Sequence, residues 1–245
     1  MNVPLWVHET AAFFWEAAGT IEPFPRTLRD PLRRCPFDVT VKELSGLSTT
    51  VAEQYLTRCG PGWACPGADR AVRACLAARD GAGFILLDAD DPEAERTFSL
   101  AHELAHFLWH YWHPRRASSR RLGPGVTAVF DGKRPPTTTE RVGALLAGVP
   151  LGPHLHLMER GPKRCMPSAA VATVEDEADR LGRELLAPAA LVLQRARRRT
   201  TGAARLEAER QLETAFGLPR SEAAAYACRL YPLADPLLRR LGISS

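Results

Sequence analysis

The chain has no CxxC pair; its six cysteines, Cys35, Cys59, Cys65, Cys75, Cys165 and Cys228, stand singly. With no export signal in view they read as reduced, mostly packing residues, and a disulfide scaffold is not expected. The opening stretch is expected to be neither a leader nor a membrane span. The opening MNVPLWVHETAAFFWEAAG lacks a basic n-region and carries His8, Glu9 and Glu16 through its apolar part, so cytoplasm is the expected compartment and no membrane partner is expected. Charge of one sign is also scarce. Against 28 acidic residues stand 32 basic ones, a net +4, too mild a balance to imply a nucleic-acid partner. The arginine runs Arg115-Arg116 with Arg120-Arg121, and Arg195 with Arg197 to Arg199, read as solvated surface, a phosphate-binding patch being the sharper alternative. Nor is there a disorder signature, since 45% of the 245 residues are hydrophobic and 24% charged, enough for one large domain or a catalytic domain with a helical appendage.

The stretch that is present and specific is TFSLAHELAHFLWHYW, Thr97 to Trp112, containing His102-Glu103-Leu104-Ala105-His106. Residues four apart lie one turn apart on a helix face, so His102 and His106 can grip one ion. Glu103, about 100° around the helix from the first ligand, reaches a water that such an ion activates and can act as general base. The flanks suit a buried helix: Asp91-Pro92 as N-cap and first-turn proline, Glu93 and Glu95 at the positive dipole end, and an apolar stripe of Leu100, Leu104, Phe107, Leu108 and Tyr111. The bland alternative is chance, for a five-residue pattern with two free positions occurs in helices that bind nothing.

Around this segment, residues 1–59 read as an N-terminal helical region. Thr10 to Ala18 is an apolar helix ended by Gly19, and Val41 to Leu56 has the outline of a helix-turn-helix with Ser48 capping the second helix, or else of an ordinary helical hairpin. Residues 60–190 read as the metal-binding core. There Val72 to Arg79 alternates as a half-buried strand, Asp80-Gly81 turns the chain, and Phe84 to Leu87 is a second strand. Residues 114–174 read as a long inserted loop. Within it Thr137 and Glu140 could box the start of a short helix through Ala147, and His154 to Leu157 alternates as a short strand whose two histidines share a face. Nothing in the sequence places His154 or His156 near His102. Residues 191–245 form a C-terminal helical region.

The third ligand comes from Glu175 to Pro188, where Ala178, Leu181, Leu185 and Leu186 recur at helical spacing. A catalytic zinc wants three protein ligands and an open position. Glu175 fits as the third, and Asp179, one turn on, can accept the free ring N–H of a zinc histidine. Glu177 lies about 200° around from Glu175, so the two cannot both face the metal. The alternative is a charged first turn. His110 is a poor rival ligand, because a straight helix does not wrap a third residue around an ion held by its first two.

These blocks together resemble the ImmA/IrrE family of zinc metallo-endopeptidases. Arg96 to His106, Glu175 to Pro188 and Ala215 to Leu230 each look like a block of that family, covering residues 66–231. Departures are the longer spacer between His106 and Glu175, Leu181-Gly182 in place of Phe-Ala, and Ala187 in place of Met. The resemblance implies an α+β, zincin-like fold with a small β-sheet packed on the HExxH helix and flanking helical segments. It implies His102, His106 and Glu175 as ligands, Glu103 as base, and a regulatory protein such as a transcriptional repressor as substrate. Zinc is the expected ion, with manganese or iron also suited to two histidines and a glutamate. The competing expectation is a non-catalytic metal-containing regulator that binds DNA or a protein partner. Candidates for steadying an oxyanion are His110, Tyr111 and Tyr226.

Overall fold

The Asp80–Gly81 turn organises the sheet. Both residues have positive φ, 58° and 83°, the backbone that a two-residue type I′ hairpin requires and an Asp-Gly pair supplies. The turn joins β2 (Val72–Arg79) to β3 (Ala82–Asp88) in antiparallel register. A computed structural model of the chain describes residues 3–19, 22–147, 151–160, 168–196 and 201–232. In it two outer strands complete the sheet. Strand β1 (Asp38–Leu44) runs parallel to β3 and β4 (His154–Glu159) antiparallel to β2, giving the order β1-β3-β2-β4.

Strand β2 is buried on both faces rather than half-buried. Ala74, Leu76 and Ala78 face the main core, while Cys75 and Ala77 face a second cluster with Leu47, Ala52, Leu56 and Trp63. Its alternating residues are small or apolar, so either side can be covered, and α3 (Thr49–Cys59) covers the second. Ser48 caps α3 as expected, accepting from the Val51 N–H at 3.3 Å.

The pair of helices expected over 41–56 is not formed. Its first half is β1, where Val41 pairs with Ile85 and Leu44 with Asp88. Val39, Thr40 and Val41 favour a pleated strand, and pairing with β3 overrides the helical preference of Lys42-Glu43-Leu44. Strand β1 thus belongs to the same sheet as the hairpin, and α1 (Leu5–Ala18) and α2 (Arg29–Arg34) pack into the main core through Val7, Phe14 and Leu32.

Helix α4 (Glu93–Ala105) lies on the main face of the sheet and runs on as a π-helical stretch, His106–Trp112, into α5 (His113–Leu122). Pro92 takes the capping position, one residue later than expected, because the Asp91 carboxylate accepts from Arg160 Nη1 at 2.8 Å instead.

The long loop expected over 114–174 is largely structured. It contains α5, α6 (Thr127–Phe130), α7 (Thr138–Ala147), β4 and the start of α8 (Ala169–Leu186). The capping box forms: the Thr137 N–H donates to Glu140 Oε2 at 2.8 Å and the Glu140 N–H to Thr137 Oγ1 at 3.2 Å. In the arginine-rich stretch Arg115 and Arg116 find partners, while Arg120 and Arg121 are exposed. Arg115 pairs with buried Asp131 at 3.1 Å, and Arg116 lies 4.4 Å over the Trp112 ring.

Helix α8 packs on α4 at Gly182, where a Cβ would stand 3.3 Å from the backbone of Ala101 and His102. This glycine lets the two backbones approach. The far end of α8 is held by α1 and its following loop, since Trp15 Nε1 and Arg26 Nη1 donate to the Leu185 carbonyl at 3.3 and 3.1 Å; such terminal carbonyls have no partner within their own helix. Helices α9 (Ala189–Arg195), α10 (Thr201–Thr214) and α11 (Arg220–Leu230) close the same core.

Among the described residues no helix is long and apolar enough to cross a membrane. Cys35, Cys59, Cys65, Cys75 and Cys228 are free thiols; burial pushes Cys35 up to about 11 and Cys75 well up, as for packing residues. Cys165 and Arg197 to Arg199 lie outside the described residues.

Candidate metal centre

Three elements converge under the sheet. From α4 and its π-helical continuation come His102, Glu103 and His106, none with exposed surface. Helix α8 brings Glu175 and Asp179, and β4 brings His156. Since α8 begins at Ala169 with Ser168 as its cap, Glu175 lies mid-helix and is not part of a charged first turn.

The ligating atoms of His102, His106, His156 and Glu175 lie within 4.8 Å of one another. A metal–nitrogen distance of about 2.0–2.1 Å sets tetrahedral ligand atoms about 3.3 Å apart. The separations bracket that value: His102 Nε2 to His106 Nε2 is 3.1 Å, His102 Nε2 to Glu175 Oε2 3.3 Å, and His106 Nε2 to Glu175 Oε1 3.6 Å. His156 Nε2 is 2.8 Å from Glu175 Oε1. Buried nitrogens gathered this closely, without a donor for each, are a donor set suited to a divalent ion.

The outer contacts fix the same orientation. His102 Nδ1 is 3.0 Å from Asp179 Oδ1, so an Nδ1–H donated there leaves the Nε2 lone pair facing the cluster. His106 Nδ1 lies 3.1 Å from His110 Nδ1, and His110 Nε2 lies 3.0 Å from Glu177 Oε2. Donation from His106 to His110, and from His110 to Glu177, again leaves a coordinating Nε2 on His106. Glu177 thus serves the site without facing it, through a second ring. His106 and His110 are four apart and so share one helix face, where their rings meet with 5.0 Å between centroids.

Electrostatics follow burial and neighbours. Burial lowers His102, but Asp179 and Glu175 outweigh it and its pKa rises. Burial, reinforced by the other histidines, drives His106 well down. Burial would raise Glu175, yet hydrogen bonds from His102 and His156 hold it below the usual carboxylate range. His156 is lowered by burial but pushed up to about 10 by the flanking Glu103 and Glu175.

All five residues singled out from the sequence, His102, Glu103, His106, Glu175 and Asp179, meet here. His156 was discounted as a ligand; the usable signal was its alternation with His154, which β4 turns toward the cluster. Two oxyanion candidates are engaged elsewhere: the Tyr111 hydroxyl accepts from the Gly81 N–H at 2.8 Å, and the Tyr226 hydroxyl donates to Glu184 at 3.2 Å.

No curated protein and no solved structure matches the chain. Residues 66–121, from the approach to β2 through α5, do match the family model described as IrrE N-terminal-like domain, Peptidase_M78. That match carries a metallopeptidase-like role; Glu175 and His156 lie beyond it and join the site through the fold. The segment bearing His102, Glu103 and His106 is therefore similar to the IrrE N-terminal-like domain.

Proposed function

We propose that the chain is a zinc-dependent endopeptidase in which His102, His106 and Glu175 hold the ion, Glu103 is the general base and Asp179 orients His102. The observation that carries the reading is Glu103. It is a carboxylate without exposed surface, turned to the ligand cluster and 2.9 Å from His156 Nδ1 rather than paired with an arginine or lysine. Burying a carboxylate is costly unless its partners or its chemistry require it.

A zinc ion held by His102, His106 and Glu175 would polarise a peptide carbonyl and acidify water. Glu103 accepts the proton of the attacking water and delivers it to the departing amine. Asp179 and His110 keep the two imidazoles in the tautomer that presents Nε2. Manganese or iron would suit the same ligands. A regulatory protein, such as a transcriptional repressor, is the substrate class that the family resemblance supports.

A second reading, a non-catalytic regulator with a structural metal, draws on His156, because four protein ligands make a closed set. Its DNA-binding branch has lost the helix pair expected at 41–56, which is β1 and α3 instead.

Metal content of the parent protein beside Glu175→Ala and Glu103→Gln, with cleavage of co-expressed repressors, tests the proposal. One zinc per chain, weakened by the first change and kept by the second, with cleavage lost in both, is the expected outcome. Full metal retention in Glu175→Ala would remove the third ligand. Undiminished cleavage by Glu103→Gln would remove the base.

A further inference from the structure

His156 does two things at once in this fold, and both oppose an open site. Its Nδ1 lies 3.0 and 2.9 Å from the two oxygens of Glu103, while its Nε2 lies 2.8 Å from Glu175 Oε1 inside the ligand cluster. A ring that points one nitrogen at a metal position and donates the other N–H to a carboxylate has the arrangement of a metal-ligating histidine. Glu103 is that carboxylate here, so the same contact engages the proposed base. The ring is also packed: it stacks on His106 at 3.8 Å between centroids, with 25° between planes.

Strand pairing and a contact at the strand end fix its place on β4. β4 is an outer strand of the sheet, bonded on its inner side to β2 with His156 opposite Leu76. Just beyond its end, Arg160 donates to Asp88 and Asp91, beside the start of α4. The strand is thereby tied to the helix that carries the other histidines.

We propose that His156 is a fourth ligand of the centre and that, by filling the open position and holding Glu103, it latches the site shut in the resting chain. The proposal rests on the metal-centre reading above. Peptide hydrolysis then requires His156 to leave, by a turn of its side chain or a shift of the outer strand. Removing the fourth ligand opens the ion in a catalytic or a structural site alike, and a gain of peptide cleavage is what marks the catalytic one.

The test uses the zinc-loaded full chain and its His156→Ala variant. X-ray absorption counts imidazole ligands, and binding of acetohydroxamate, a small chelating zinc ligand, reports an accessible ion. The expected result is three imidazoles in the parent and two in the variant. If the open form is about a tenth or less of the resting population, the variant binds acetohydroxamate about tenfold more tightly or better. Two imidazoles in the parent, or equal hydroxamate affinity in two folded proteins, would overturn the latch and leave the three-ligand reading standing. No zinc in the parent would sink both. Should His156→Ala not fold, the imidazole count of the parent decides alone.

Discussion

His102 Nδ1 and Asp179 Oδ1 lie 3.0 Å apart across the seam where α4 meets α8. One hydrogen bond therefore joins a metal-helix ligand to the helix that supplies Glu175. Asp179→Asn keeps the shape and removes the charge, and the amide can present its NH2 to Nδ1, favouring the wrong tautomer. Zinc affinity, read by competition with a chelating dye, is expected to fall about 10- to 100-fold with the helical circular dichroism unchanged. Unaltered affinity would show that Asp179 does not set the tautomer.

Asp179 is itself positioned by a buried cation. Arg183 Nη2 lies 3.2 Å from Asp179 Oδ2 and 2.6 Å from Glu222 Oε2 on α11, with Arg183 only 3% exposed. Burial lowers the Arg183 pKa, but the two carboxylates outweigh it and raise it. Replacing it by leucine leaves two acids without their cation, a change that costs about 3–5 kcal/mol. The denaturant midpoint of Arg183→Leu is expected to drop accordingly. A drop below about 1 kcal/mol, no more than an exposed pair is worth, would count against the network.

The centre was legible because its chemistry is periodic. The four-residue spacing of His102 and His106, and of Glu175 and Asp179, needs only helical geometry, and both helices formed. His156 was invisible for the opposite reason: 53 positions separate it from Glu103, and only the pairing of β4 with β2 brings them together. Strand β1 was misread because Lys42-Glu43-Leu44 is locally helical and its partner, β3, lies far along the chain. The four-residue spacing of His106 and His110 puts them on one helix face as well, but Glu177 lies 67 positions from His110 and only the packing of α8 brings it there.

Acid titration should expose a local tie at the start of α3. Asp69 Oδ1 accepts from the Thr50 N–H at 2.9 Å and from Thr49 Oγ1 at 3.1 Å. The Thr50 bond, helped by the neighbouring hydroxyls, holds its carboxyl down at about 2 from an ordinary 3.8. A depressed carboxylate contributes stability that is complete above its unfolded pKa and lost as pH falls through the folded one. The thermal midpoints of the parent and Asp69→Ala should therefore differ at neutral pH and converge between about pH 4 and pH 2. A constant gap across that window would show that the carboxylate charge is not what holds the cap.

The chain from His106 through His110 to Glu177 makes a prediction that separates two kinds of second contact. Glu177 is partly exposed, its side chain 32% accessible, and acts on the ligand only through the His110 ring. Burial lowers the His110 pKa against the opposing pull of Glu177, which keeps the ring neutral and able to accept from His106. Glu177→Gln still accepts a hydrogen bond and should bind zinc within a few-fold of the parent. His110→Ala removes the acceptor for the His106 N–H altogether, and its zinc affinity should fall about tenfold or more. Competition with the same dye, run on both variants, gives the order. If His110→Ala matches the parent, His106 is oriented by its helix alone; if Glu177→Gln falls as far as His110→Ala, the carboxylate charge rather than the ring relay sets the ligand.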